Sequence, residues 1–183
     1  LDHEHWRLKL SRGWLRYRDP RRFGMLIRCS ASELDSHPRI KDLGPEPLKA
    51  SWTDEAFIAA CKRSQRPIKT LIMDAATVVG VGNIYAAEAL FAAGIDPRRS
   101  ASSIAPRRLK RLKLEIVRVL NSALDSGGST IRNFVSSDGA PGYFAQQLAV
   151  YGRENTTCRM CDQTLSLIRL GGRSTVFCRR CQR

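Results

Sequence analysis

Residues 158–181 read CRMCDQTLSLIRLGGRSTVFCRRC, in which two Cys-x-x-Cys pairs stand sixteen residues apart. Each pair places two thiolates at a tight turn, and the stretch between the pairs has the length of a hairpin that folds back. This spacing is typical of a zinc ribbon, in which four sulfurs surround one tetrahedral Zn²⁺. Because protein fills every ligand position, the predicted zinc is structural rather than catalytic. The predicted ligands are Cys158, Cys161, Cys178 and Cys181.

Two disulfides are the alternative for the same four cysteines. Cytosolic thiols stay reduced, and the residues given contain no secretory signal pattern, so we expect a zinc site in a cytoplasmic setting. No partner motif accompanies Cys29 or Cys61. Both are therefore predicted to be small buried apolar residues rather than reactive thiols.

Upstream of the cysteines, the spacing of apolar residues predicts helices. Thr53 is a candidate N-cap, and Pro106 is a favoured first-turn residue. The predicted helices begin after Thr53, run from Ile68 to about Ala75, from Asn83 to Ala93 before Gly94, and from about Pro106 to Gly127-Gly128. The apolar face of the last helix is Leu109, Leu112, Ile116, Leu120 and Ala123, and its other face is rich in Arg and Lys.

The segment Gly80-Val81-Gly82-Asn83 opens the third predicted helix. Glycines let the backbone approach a ligand closely, and the free amides of a helix N-terminus favour an anion. The segment also suits a plain structural turn, and it is not a dinucleotide-binding fingerprint, because helix rather than strand precedes it.

The first thirty residues have the alternation of strands. Three short runs are predicted, around Trp6–Leu10, Leu15–Tyr17 and Met25–Cys29, and residues 31–52, with their prolines, are predicted to be a linker. Because the chain begins at Leu1 rather than Met, we expect these strands to belong to a larger sheet of a longer protein.

Two loops combine turn residues with side chains suited to binding. In Asp19-Pro20-Arg21-Arg22-Phe23-Gly24, arginines beside a Phe suit a tip that probes duplex DNA, although the Phe could equally pack inward. The polar, glycine-rich loop from Ser136 to Phe144 could close over a ligand or simply connect two elements.

The charge of the chain points to a polyanionic partner. Lys and Arg number 31 against 17 Asp and Glu, which gives a net charge of +14 and a pI of about 10.2. Nucleic acid is the first candidate, and a merely soluble basic protein is the alternative. No apolar run approaches the ~18 residues that span a bilayer, so no membrane partner is expected.

In this order, the motifs resemble those of the formamidopyrimidine-DNA glycosylases, bacterial enzymes that remove oxidised purines. The resemblance runs from His3 to Gln182 and favours this family over its endonuclease VIII relatives. It rests on Asp19–Gly24, Leu43-Gly44-Pro45-Glu46-Pro47-Leu48, Gly80–Ala86, Ser137–Gln146, Tyr151-Gly152-Arg153 and the four cysteines.

The resemblance implies an α+β fold in parts. These are a partial β-sandwich remnant (residues 1–30), the linker (31–52), a helical DNA-binding domain (53–150) and a zinc-finger β-hairpin (151–183), with DNA in a basic groove between the first and second parts. Residues 68–94 match the helix–two-turn–helix element.

The resemblance also assigns site residues. Asn83 and Arg173 match groups that grip the phosphates flanking a lesion, and His3 matches another DNA-contacting residue. Arg21 and Phe23 match side chains inserted into the duplex when the damaged base is flipped. Gln65, with Arg66 beside it, stands where the family has a further phosphate-contacting lysine. The loop that closes over the flipped base matches residues 133–144, with Ser137, Asp138, Gly139 and Tyr143 as candidates.

The activity implied is base-excision repair by a DNA N-glycosylase and AP lyase acting, as a monomer, on double-stranded DNA with oxidised or abasic sites. The family nucleophile is an N-terminal proline amine followed by a glutamate acid, and neither has a counterpart in these residues. We therefore expect this chain alone to bind damaged DNA without cleaving it. The alternative is a non-enzymatic zinc-ribbon module that binds nucleic acid.

Overall fold

The computed structural model describes residues 2–20, 22–127 and 148–183. The chain divides into two compact units, Leu1–Lys41 and Asp42–Arg183. The second unit contains α-helices and a two-stranded antiparallel sheet, and the first unit contains a second two-stranded antiparallel sheet. This mixture confirms the predicted α+β class.

The first unit is built on one antiparallel hairpin. Strands β1 (Glu4–Lys9) and β2 (Trp14–Arg18) pair across a turn in which Gly13 has a φ of 95°, a conformation that glycine adopts without strain. The indole of Trp6 stacks on the ring of Tyr17 with centroids 5.5 Å apart. A single 3₁₀ turn, Ala31–Glu33, follows.

The third predicted strand, Met25–Cys29, is wrong: this segment has no strand structure. A strand needs a neighbour to satisfy its backbone hydrogen bonds, and no described segment pairs with it. The side chains of Met25 and Leu26 are 55% and 67% exposed accordingly. Cys29 is also exposed, which corrects its expected burial.

The described part of the second unit contains four α-helices. They are α1 (Asp54–Lys62), α2 (Ile68–Ile72), α3 (Asn83–Ala93) and α4 (Pro106–Asp125). The predicted cap is confirmed, since Thr53 Oγ1 accepts a hydrogen bond of 3.2 Å from the amide of Ala56. Helix α2 ends three residues earlier than predicted, because the Asp74 carboxylate accepts the Ala76 amide and the Asp74 carbonyl accepts that of Thr77, which closes a turn.

The core of this unit lies between α1, α3 and α4. Helix α3 contributes several buried alanines beside Leu90, and small side chains let neighbouring helices approach closely. Cys61 is fully buried in this core, as predicted, and burial raises the pKa of its thiol to about 12. The five predicted apolar positions of α4 are all buried.

The proline-rich segment 43–48 is attached to the turn before α3. The amide of Gly44 donates to the Ala75 carbonyl at 2.7 Å, and the amide of Val79 donates to the Pro45 carbonyl at 3.2 Å. A Cβ at Gly44 would lie 2.7 Å from the Ala76 carbonyl oxygen, so only glycine fits this approach.

The C-terminal hairpin consists of β3 (Ser166–Leu170) and β4 (Arg173–Phe177), and it packs on α3. The carboxylate of Glu88, which is 7% exposed, accepts the backbone amides of Ala149, Val150 and Tyr151. The side chain of Gln182 donates to the carbonyl of Ile95, two residues after α3 ends, at 2.9 Å. These polar contacts hold the cysteine-bearing segment on α3 from both sides.

Candidate nucleic-acid interface and metal centre

The four cysteines converge as the sequence predicts. Their sulfurs all lie within 4.8 Å of one another, with 3.9 Å between Cys158 Sγ and Cys181 Sγ and 3.5 Å between Cys161 Sγ and Cys178 Sγ. Zn–S bonds of about 2.3 Å place tetrahedral sulfurs about 3.8 Å apart, whereas a disulfide needs about 2.05 Å. The donor set and its spacing therefore fit one structural zinc ion and exclude the disulfide alternative.

The ionisation of these thiols depends on their surroundings. A hydrogen bond from the backbone amide of Gln163 lowers the pKa of Cys161 to about 7. Burial raises the pKa of Cys158 and of Cys181, and the neighbouring sulfurs raise that of Cys181 further. Crowded thiolates repel one another, so a divalent cation is the partner that lets all four ionise together.

The predicted anion site at the start of α3 has the geometry of an open turn. Gly80 has a φ of 81°, and Gly82 is the N-cap of α3. Neither glycine has a heavy atom within 4 Å of where a Cβ would stand, so the space beside the turn is open. The turn and the helix amides therefore present donors to solvent at one end of a helix of eleven residues.

Asn83 and Arg173, ninety residues apart in sequence, are brought to one site by a residue that the sequence analysis missed. Lys69, on α2, donates through Nζ to Asn83 Oδ1 at 2.6 Å and to Thr175 Oγ1 at 2.7 Å. It also donates to the Ser174 carbonyl at 3.0 Å. Burial, and then the charge of Arg173, lower the pKa of Lys69 to about 8.

A signal for Lys69 exists in the sequence, although it is faint. The residue stands between apolar neighbours in Ile68-Lys69-Thr70-Leu71-Ile72, at a place where a solvated lysine is unexpected. The identity of its partners is not visible there, because they come from α3 and β4.

Gln65, which stands at the position of the family's further phosphate-contacting lysine, and Arg66 beside it both form hydrogen bonds within the protein. Gln65 Oε1 accepts hydrogen bonds from the hydroxyls of Ser100 and Ser102 at 2.9 and 3.0 Å. Arg66 pairs with the Asp74 carboxylate at 2.7 Å and donates to the Thr70 carbonyl.

In the first unit, the Asp19–Gly24 loop is closed by the Asp19 side chain. Its carboxylate accepts the Gly24 amide at 2.7 Å and the Tyr17 hydroxyl at 3.2 Å. The amide of Asp19 donates to the His3 carbonyl at 3.1 Å, so His3 lies at the base of this loop. Phe23 is 75% exposed and does not pack inward.

Some predicted site residues lie outside the described residues. They are Arg21 and the loop residues Ser137, Asp138, Gly139 and Tyr143. Among the helices that the structure describes, none combines the length and the apolar character needed to cross a bilayer.

The chain is similar to known proteins along nearly all of its length. The profile of the formamidopyrimidine-DNA glycosylase H2TH domain matches residues 43–135, and that of a zinc finger found in FPG and IleRS matches residues 157–183. The formamidopyrimidine-DNA glycosylases of Pseudomonas paraeruginosa and Ectopseudomonas mendocina are each 50% identical over 182 residues, which is 99% of this chain and 67% of each relative.

Solved structures agree with these matches. The MutM (Fpg) protein of Thermus thermophilus superimposes with a TM-score of 0.93 at 38% identity, over 100% of this chain and 69% of that protein. The Lactococcus lactis Fpg bound to DNA that contains an abasic site gives a TM-score of 0.90 at 31% identity, over 100% of this chain and 67% of that protein. A MutM in complex with DNA that contains carbocyclic 8-oxo-G gives 0.91 at 32%, again over 100% and 67%.

Proposed function

The chain belongs to the formamidopyrimidine-DNA glycosylase family, and from this we propose that it binds double-stranded DNA containing oxidised or abasic sites. The family acts in base-excision repair as DNA glycosylases and AP lyases. The observation that carries the proposal is that Lys69 bonds both to Asn83, at the N-terminus of α3, and to Thr175 on β4, and that the charge of Arg173 on the same strand acts on it.

The chemistry of this site suits a phosphodiester. An open helix N-terminus offers amide donors, Asn83 adds a side-chain amide, and Arg173 adds a guanidinium. Within the ranges that the structure describes, no carboxylate forms an ion pair with Arg173. The guanidinium is therefore available to pair with an incoming anion.

The net charge of +14 supports the same assignment. Each phosphate that a basic side chain neutralises releases counterions, so duplex affinity should fall steeply as salt rises. Zinc has no chemical step in this proposal, since protein sulfurs occupy its coordination positions. It holds the hairpin that carries Arg173.

Arg173→Ala should weaken duplex binding by roughly 1–3 kcal/mol, the usual worth of a charge-assisted contact. Fluorescence anisotropy with a duplex that carries an abasic-site analogue measures the change. Arg169→Ala is the matched control, because Arg169 is exposed on the same hairpin, and the pairing register puts it on the opposite face from Arg173. Equal effects of the two substitutions would remove Arg173 from the site.

Phe23 is proposed to act as a wedge that enters the base stack beside a lesion. Phe23→Ala should then reduce the preference for damaged over undamaged duplex more than it reduces overall affinity. The two affinities are measured side by side on duplexes that differ only at the lesion. Equal losses on both duplexes would contradict the wedge role.

The proposed function is tested by comparing the chain's affinity for an abasic-analogue duplex, an undamaged duplex and a double-stranded RNA of the same sequence. Preference for the abasic duplex supports the proposal, and preference for RNA would favour a general nucleic-acid-binding ribbon instead. Borohydride trapping on a duplex with 8-oxoguanine runs in parallel. We expect binding without a covalent adduct, and a trapped adduct would show that an amine of this chain acts as nucleophile.

A further inference from the structure

Lys69 is a buried lysine whose three donors are all used. Its residue exposure is 1%, and its ammonium reaches Asn83 Oδ1, Thr175 Oγ1 and the Ser174 carbonyl at 2.6, 2.7 and 3.0 Å. An ammonium has three donors and no acceptor. One side chain of α2 thus joins the first residue of α3 to strand β4.

Among the residues that the structure describes, this ammonium has no partner of opposite charge. In the described part of the chain, no carboxylate forms an ion pair with Lys69, and the charged group that acts on it is the guanidinium of Arg173. Burying a charge without a counter-ion is costly, even when hydrogen bonds satisfy it. The site is therefore short of one negative charge, at the place where a phosphate is proposed to bind.

Lys69 decides which way the Asn83 amide points. Since an ammonium cannot accept a hydrogen bond, the Asn83 atom that faces Nζ must be the oxygen. The NH₂ group of Asn83 then points away from Lys69, and no described residue accepts a hydrogen bond from it. A donor is left available at the N-terminus of α3, which is half-buried at this position.

Lys69 also holds the hairpin that carries Arg173. Both of its β4 contacts follow Arg173 directly in sequence. At the hairpin turn, a Cβ on Gly171 would lie 3.4 Å from the Thr70 methyl group, so the turn lies against α2 next to Lys69. Loss of the ammonium would remove these two polar contacts between α2 and β4.

We propose that Lys69 is a positioning residue of the phosphate site, which orients the Asn83 amide, holds Arg173 in place, and gains its counter-charge from the DNA phosphate. This inference rests on the proposed function. It adds that the site is assembled around a buried cation whose charge the ligand compensates, so that binding and protonation of Lys69 are coupled.

The coupling has a defined sign. With a pKa of about 8 in the free chain, Lys69 is protonated at pH 7 both free and bound, and affinity does not depend on its titration there. A nearby phosphate raises this pKa in the complex. Above pH 8, Lys69 is mostly neutral in the free chain and takes up a proton when the chain binds DNA. The affinity should therefore fall by up to about tenfold per pH unit.

The test uses the full chain and an abasic-analogue duplex, with the dissociation constant measured from pH 6.5 to 9.5. Wild type should lose affinity above pH 8. K69M should bind about 10- to 100-fold more weakly at pH 7 and lose that pH dependence. K69R, which stays charged across this range, should bind more tightly than K69M and show no dependence. Lys62→Met is the matched control at an exposed position of α1.

A second measurement is independent of whether the variants fold. Calorimetric titration of wild type at pH 8.5, in buffers of different ionisation enthalpy, counts the protons taken up on binding. With a free pKa of about 8, about a quarter of Lys69 is already protonated at pH 8.5, so uptake of roughly half to three quarters of a proton supports the proposal. Binding without proton uptake, or a folded, zinc-loaded K69M that matches wild type in affinity and pH profile, would overturn it. Failure of wild type to bind any duplex would instead overturn the proposed function.

Discussion

Replacing Cys178 with Ser should abolish zinc binding, unfold residues 157–183 and weaken duplex binding by about 100-fold or more. Structural zinc contributes on the order of 10–16 kcal/mol of apparent binding energy in small fingers, and that energy is folding energy. A hairpin of two short strands buries too little apolar surface to persist alone. The expected loss of affinity exceeds that of Arg173→Ala and that of K69M.

The effect on DNA follows from what the hairpin carries. Unfolding it removes Arg173 from the phosphate site and takes the Ser174 carbonyl and the Thr175 hydroxyl away from Lys69. The ammonium of Lys69 then retains only Asn83 as a hydrogen-bond partner among the described residues. Loss of zinc therefore damages both halves of the proposed site.

Zinc content, hydrogen exchange over residues 157–183 and duplex affinity measure the result together. Cys29→Ser is the matched control, because Cys29 is an exposed thiol outside the cluster. It should change none of the three readouts. A Cys178→Ser protein with full zinc content and wild-type exchange protection would contradict the assignment of Cys178 as a ligand.

Glu88→Ala should lower the free energy of unfolding by about 3–5 kcal/mol, in the range found when one partner of a buried charged contact is removed. The carboxylate accepts three backbone amides at 2.8, 2.9 and 2.9 Å, those of Ala149, Val150 and Tyr151. A buried amide left without an acceptor costs about 1–3 kcal/mol. The better helix propensity of alanine offsets less than about 1 kcal/mol of the loss.

Two variants make this prediction specific. Glu88→Gln keeps one acceptor oxygen but turns an NH₂ group toward an amide, so we expect a smaller loss of about 1–3 kcal/mol. Glu154→Ala removes an exposed carboxylate and should fall within about 0.5 kcal/mol of wild type. Urea denaturation followed by circular dichroism measures all three. If Glu88→Ala were no less stable than Glu154→Ala, the three amides would not depend on this carboxylate.

The features predicted correctly from sequence are those that neighbouring residues encode. The cap at Thr53, the bounds of α3 between Gly82 and Gly94, and the start of α4 at Pro106 follow from backbone geometry and from the orphan amides of a helix end. The zinc cluster could be predicted because metal coordination imposes a spacing on its ligands.

The errors have a common cause in missing or unforeseen partners. Met25–Cys29 has the alternation of a strand, but a strand exists only when another strand pairs with it, and none of the described segments does. The end of α2 was misplaced because the Asp74 side chain competes for nearby amides. Periodicity contains no information about either effect.

By itself, then, the sequence determined the helices, their caps, the four zinc ligands, the basic charge and the family. Only the tertiary structure decided how these parts form a site. Lys69 meets Thr175 across 106 residues of chain, and Glu88 meets Val150 across 62. Such contacts depend on which buried donors and acceptors face each other after the helices pack, and local patterns do not encode that choice. The proposed phosphate site is held together by a buried lysine on α2, and the partners of that lysine lie on α3 and on the hairpin.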